Sequence, residues 1–246
     1  MKSSEVAVAT MTWARDAAEE RLLRESLPLL AGFGAPVFVT DGGSGEAFRR
    51  FLRSLPGFDV CEPGERGPWA QAGRSLRAAH ASGRSFILYT ESDKSGFFRA
   101  GLGEFVSEAP DEDEVGVVLA SRSTESFETF PEFQRGTEGT LNRCCAEVVG
   151  RRFDFSYGPF LMNRRLVPAL DAAPPDVGWG WRTYAFGLAP RLGRRVECVV
   201  KDLPCPPEQR EDDPRERLYR MRQLTQGVEG LLKSASADLN GLSCRG

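Results

Sequence analysis

Phe86-Ile87-Leu88-Tyr89-Thr90-Glu91-Ser92-Asp93-Lys94 is an apolar run of strand length that ends abruptly in two carboxylates and a lysine. A buried strand that delivers acidic residues at its carboxyl end is how an open α/β sheet places a polar site at its rim. Glu91 and Asp93 are two positions apart, so in extended backbone they project to one side. Two such carboxylates suit a hard divalent cation that keeps several waters and takes substrate phosphates as its other ligands. A metal–diphosphate site and a plain acidic turn both fit the stretch on its own, and the flanking sequence decides between them.

Upstream, Val6-Ala7-Val8-Ala9-Thr10 and Pro36-Val37-Phe38-Val39-Thr40 read as buried strands, the second ending in Asp41-Gly42-Gly43-Ser44-Gly45. Between them Asp16 with Glu19 forms a capping-box signature, and Leu22, Leu23, Leu27 and Leu30 repeat at helical spacing. Pro28 predicts a bend or an early last turn there. A helix through Phe48, Phe51, Leu52 and Leu55, a short strand over 58–61 and a helix over 69–82 lead to the acidic stretch. Downstream the pattern predicts a helix over 97–106, a strand over 115–120, and a polar irregular loop over 122–136. A helix over 137–149, a strand over 153–162, a helix over 179–188 and a strand over 196–200 follow. Asp213-Pro214-Arg215-Glu216 opens a last helix, and 234–246 reads as a flexible tail. Alternating strands and helices predict βαβ units on a mostly parallel sheet with helices on both faces. The expectation is one α/β domain over 1–233, with a half at about 5–121 built around the polar strand ends and a second half at about 122–233.

Composition removes several function classes. The 246 residues carry a formal charge of −3, so no basic field points to nucleic acid. No apolar run approaches the ~20 residues that span a bilayer, and residues 1–5 lack the features of a signal peptide. The expected location is cytoplasmic. The six cysteines form no Cys-x-x-Cys pair, and a single histidine, His80, argues against a zinc site or a His-dependent hydrolase.

The order of polar strand ends, at Thr10, at Asp41 in a Gly-Ser turn and at Glu91-Ser92-Asp93, resembles family 2 glycosyltransferases of the GT-A fold. That fold is Rossmann-like, with a C-terminal helical region on the acceptor side. Ala120-Ser121-Arg122, Gly178-Trp179-Gly180-Trp181 and the terminal helix resemble the mannosylglycerate and glucosyl-phosphoglycerate synthase branch. The resemblance implies a transferase that moves a sugar from a nucleotide-diphosphate donor to a small soluble acceptor with the help of Mg or Mn. Thr10, Thr12, Asp41, Arg74 and Ser92 would then bind the nucleotide sugar, and Glu91 and Asp93 the metal. On the acceptor side stand Arg122, Tyr157, Trp179 and Trp181.

The sequence also departs from that pattern. The metal motif is Glu-Ser-Asp, and Asp41 is followed by Gly42 rather than a second aspartate. The late helix where inverting members carry an acidic pair reads Gly178-Trp179-Gly180-Trp181-Arg182. Asp176 is the nearest substitute for a catalytic base, with Arg182 beside it. A catalytically degenerate nucleotide- or sugar-binding protein of the same fold is one alternative. A sugar-phosphate nucleotidyltransferase is another, disfavoured because residues 8–13 contain no glycine to grip a triphosphate.

Overall fold

The computed structural model describes residues 1–61, 64, 66–207, 210 and 212–238. The chain divides into two compact units. The first comprises Met1–Ala109 and Pro159–Val167, and the second Pro110–Gly158 and Pro168–Gly246.

The first unit carries β1 (Val6–Thr12), β2 (Val37–Asp41), β3 (Phe58–Cys61), β4 (Phe86–Tyr89) and β6 (Phe160–Asn163), in the spatial order β3-β2-β1-β4-β6. Neighbours are parallel except β6, which runs antiparallel to β4 with Tyr89 opposite Phe160. β4 and β6 are buried along their whole length, as continuous apolar runs covered on both faces must be. Helices α1 (Ala17–Ala31), α2 (Glu46–Ser54), α3 (Pro68–Ala81) and α4 (Leu102–Glu108) complete the unit. Asp16 caps α1 by accepting the Ala18 and Glu19 N–H groups, each at 2.9 Å. α1 runs through Pro28 to Ala31, where the Gly32 N–H closes on the Pro28 carbonyl at 3.0 Å.

The second unit carries the parallel pair β5 (Val115–Arg122) and β7 (Arg195–Lys201) with α5 (Thr124–Glu128), α6 (Glu132–Val149), α7 (Trp181–Arg191) and α8 (Pro214–Ser236). α7 is apolar nearly all round and buried from Thr183 to Ala189, which marks it as the centre of this core. α8 crosses it at very short range. A Cβ on Gly230 would lie 2.0 Å from the Gly180 carbonyl oxygen, so only glycine admits the approach. The Thr183 hydroxyl donates across it to the Gly227 carbonyl at 2.7 Å.

Three expectations need correction. Residues 122–136 are not an irregular loop: Ser123 caps α5 through the Ser126 N–H at 3.1 Å, and α6 begins five residues earlier than predicted, after Pro131. Gly136, Thr137 and Gly139 in its first turns had hidden the helical pattern. The strand over 153–162 is confined to Phe160–Asn163, because Asp154 folds back on the Ser156 N–H at 3.1 Å and Gly158 turns the chain at φ 130°. α8 extends to Ser236, where Arg191 donates to the Ala237 carbonyl at 2.9 Å and also caps the Ser234 carbonyl. The remainder of the expected tail, 239–246, lies outside the described residues.

Candidate functional site

In the first unit the carboxyl ends of β1, β2 and β4 lie side by side, with Thr12 opposite Asp41 and Ala9 opposite Tyr89. Asp41 is buried and its carboxylate is fully engaged. Oδ1 accepts the hydroxyls of Thr12 (3.0 Å) and Ser44 (2.6 Å), and Oδ2 accepts the N–H groups of Gly43 (3.1 Å) and Ser44 (2.7 Å). Asp41 and Thr12 therefore lock the β2 turn to the end of β1. Both side chains are buried, so the bonds they make are internal to the strand ends.

Thr10 is held in the same way. Its side chain is fully buried and donates to the Thr90 carbonyl at 2.8 Å. This bond belongs to a larger arrangement around the acidic turn. The Thr90 hydroxyl donates to the Glu91 carbonyl at 3.0 Å, and the Ser26 hydroxyl, from the middle of α1, donates to the Ser92 carbonyl at 2.5 Å. Three successive carbonyls just past the end of β4 are thus each held by a hydroxyl. Behind them the Ser75 hydroxyl donates to the Thr10 carbonyl at 2.7 Å and lies 2.8 Å from the Thr40 hydroxyl. Buried carbonyls left unmatched cost about 1–3 kcal/mol each, so these bonds hold the turn firmly.

On this tethered frame Glu91 and Asp93 are half-buried, with Glu91 Oε2 and Asp93 Oδ1 shielded from solvent, and Ser92 between them is buried. Two hard carboxylates fit Mg or Mn as part of a ligand set that water and phosphate oxygens complete. Among the described residues no group of three or more His, Cys, Asp or Glu is assembled to hold a metal by itself. Arg74, on α3, lies against the chain after β3: a Cβ on Gly64 would sit 1.8 Å from its Nη2. Its charge also reaches Cys61, whose thiol is nonetheless pushed up by burial.

The sequence reading missed Trp13. This indole is 53% exposed directly after β1, with the Arg15 guanidinium 5.6 Å from its ring centroid. A Cβ on Gly42 would meet Trp13 Cβ at 3.1 Å and the Gln71 amide at 3.0 Å, so the glycine after Asp41 makes room for the tryptophan. The signal available was a large aromatic in the polar turn after the first strand.

In the second unit Arg122 is an interior residue. Its side chain is almost wholly buried, Nε donates to Asp154 Oδ2 at 2.6 Å, and Nη2 donates to Glu138 (2.7 Å), Ser156 Oγ (2.9 Å) and Asp154 Oδ1 (3.1 Å). Phe130, Phe127 and Tyr157 surround the guanidinium at 4.4, 4.6 and 5.7 Å. Asn142 donates to Asp154 Oδ1 at 3.0 Å and accepts the Phe155 N–H at 2.8 Å. Burial pushes the Asp154 carboxyl up, but the Arg122 hydrogen bond and charge, with Ser156 and Asn142, outweigh it and hold it at about 2. Arg122 itself is held above its ordinary value despite burial, chiefly by the Glu138 charge and the Asp154 hydrogen bond. Arg122 thus ties α6 and residues 151–158 to the end of β5. It does not reach out to an acceptor, and that expectation is corrected.

Trp181 is 0% exposed in the α7 core and cannot wall an acceptor pocket, a second correction. Trp179 and Tyr157 are half-buried. Arg182 donates to the Ser156 carbonyl at 3.3 Å and so backs the Asp154 segment. Asp176 stands on an exposed turn, its side chain 80% exposed and 3.7 Å from Lys233. It lies in the turn that leads into Gly178–Gly180 and α7.

No protein-family model matches this chain, and no curated protein matches it. Solved structures do. Glucosyl-3-phosphoglycerate synthase from Mycobacterium tuberculosis aligns with a TM-score of 0.60 and 17% identity over 95% of this chain and 81% of that one. Its complex with UDP gives 0.60 and 16%, over 95% and 80%. A complex of the same enzyme with Mn²⁺, UDP and phosphoglyceric acid gives 0.57 and 16%, over 95% and 79%. The likeness shows the GT-A fold expected from the order of the polar strand ends.

Proposed function

We propose that this chain is a metal-dependent glycosyltransferase that moves a sugar from a nucleoside-diphosphate donor to a small soluble acceptor in the cytoplasm. What carries the proposal is the acidic turn at the end of β4, where three tethered carbonyls hold the backbone under Glu91 and Asp93. Complexes of the M. tuberculosis enzyme support it, one with Mn²⁺, UDP and phosphoglyceric acid and another with Mg²⁺ and UDP. No helix among the described residues is long and apolar enough to cross a membrane, in keeping with a soluble acceptor.

In this reading Glu91 and Asp93 hold the divalent ion, Asp93 foremost because its shorter side chain leaves it close to the tethered backbone. When bound, Mg or Mn supplies Lewis-acid neutralisation of the departing diphosphate. Ser92 fixes the turn through its carbonyl. Trp13 offers an open aromatic face on which a base stacks, a role that Thr10 and Asp41 support from behind by ordering the strand ends. Arg74 is the guanidinium on the donor side. Tyr157, Trp179 and Arg182 are the acceptor-side groups left once Arg122 and Trp181 are assigned to the interior.

The test is thermal shift and calorimetry with UDP-, GDP- and ADP-linked sugars, with and without Mn²⁺, followed by a product assay across phosphorylated and carboxylated acceptors. Asp93→Ala is expected to abolish metal-dependent donor binding with an unchanged melting temperature. Trp13→Ala is expected to weaken the same binding by about 1–3 kcal/mol in stacking. Equal nucleotide affinity of Asp93→Ala and wild type in Mn²⁺ would refute the site. The exposure of Asp176 favours a second reading, a nucleotide-binding protein without transferase activity. Metal-dependent binding with no sugar transfer in any acceptor screen would support it.

A further inference from the structure

α8 has two faces. Gly227, Gly230, Leu231 and Ser234 are buried against the rest of its unit. At about 100° per residue, Leu218, Met221, Thr225, Val228 and Leu232 lie on the roughly opposite side. Leu218 is 65%, Met221 47% and Leu232 66% exposed. The spacing 218, 221, 225, 228, 232, 235 follows a/d heptad register, apolar except at Thr225 and with alanine at its end, the pattern of a helix that packs along a second helix. Single exposed leucines are ordinary on a surface, but a stripe in heptad register with Leu218, Met221 and Leu232 all exposed is not.

The flanking charges select the occupant. On the outer edge of the stripe the charged e positions are Arg222 and Glu229, both exposed. Placed antiparallel on a second α8, Arg222 falls next to Glu229 of the other copy, and the two-fold axis repeats the pair. Met221 then faces Leu232 of the second copy, Leu218 faces Ala235, and Thr225 faces Val228. A parallel arrangement instead brings Arg222 toward Arg217 of the second copy, a like-charge contact. We propose that this chain self-associates through an antiparallel α8–α8 seam with reciprocal Arg222–Glu229 pairs. A 23-residue helix, about 35 Å long, supplies an interface at the low end of the standard range, so the dimer is a reversible one.

Sedimentation velocity and light scattering on the full chain across a concentration series test this. The wild type is expected to rise from the 27.1 kDa monomer toward twice that mass, in the micromolar to submillimolar range. Leu218→Glu with Leu232→Glu is expected to remain monomeric with an unchanged melting temperature, since both positions face solvent. Arg222→Glu or Glu229→Arg alone is expected to weaken association about tenfold, and the two together to restore it. A wild type that stays monomeric to about 0.5 mM, a dimer that survives the two leucine changes, or a double charge reversal no better than the singles overturns the proposal.

Discussion

Replacing Asp154 by asparagine is expected to destabilise the protein in a way that depends on pH. The aspartate ionises near 3.8 when exposed and at about 2 in the Arg122 network. That difference is worth about 2.5 kcal/mol at neutral pH. Because the folded carboxyl is the stronger acid, this stabilisation is present in full above the unfolded value of 3.8 and is lost as pH falls toward 2. Asparagine keeps an oxygen for Ser156 and Asn142 but turns an amide toward Arg122 Nε, leaving Glu138 as the carboxylate that pairs with the buried guanidinium. Breaking a buried ion pair from one side costs about 3–5 kcal/mol, so a loss of about 3 kcal/mol near neutral pH follows. Urea unfolding of both proteins, followed by circular dichroism from pH 7 down to pH 3, measures it. The gap is expected to narrow steadily below about pH 4 as the wild type forfeits its own contribution. A gap that stays constant across that range, or one below about 0.5 kcal/mol at neutral pH, refutes the account of Arg122 as a buried anchor.

Three further substitutions, two in the second unit and one in the first, probe the units separately. Gly230→Ala places a methyl 2.0 Å from the Gly180 carbonyl oxygen, whereas Gly227→Ala meets only the flexible end of Leu141 at 2.8 Å. The first is expected to cost about 3 kcal/mol or more and the second about 1, and equal melting temperatures for the pair would rule out the close helix crossing. Ser26→Ala leaves the Ser92 carbonyl without its hydroxyl, at about 1–2 kcal/mol. Mn²⁺ affinity in the presence of UDP should fall with it, and unchanged affinity would show that the tether does not position the turn.

What could be read in advance was local. Buried strands such as Ile87-Leu88 and Val117-Val118 appear as apolar runs, and the caps at Asp16 and Asp213 as short signatures, because their causes lie within a few residues. The roles of individual polar side chains were not legible, because their partners lie far along the chain. Arg122 meets residues 16 and 32 positions later, Thr10 a carbonyl 80 positions later, and Ser26 one 66 positions later. Trp181 looked like a pocket wall because an aromatic beside two glycines has the same sequence whether it faces inward or outward. Glycine in α6 disguised a helix as a loop, since low propensity was overridden by packing against α8.

The hydroxyls on the carbonyls of Thr90, Glu91 and Ser92 come from Thr10, Thr90 and Ser26, and none of them belongs to an acidic side chain. These three tethers of the turn therefore come from groups other than the carboxylates mounted on it. If Glu91 and Asp93 hold the ion as proposed, a carboxylate of different reach or an amide at either position is expected to change what the turn grips while the three hydroxyl tethers still hold its backbone.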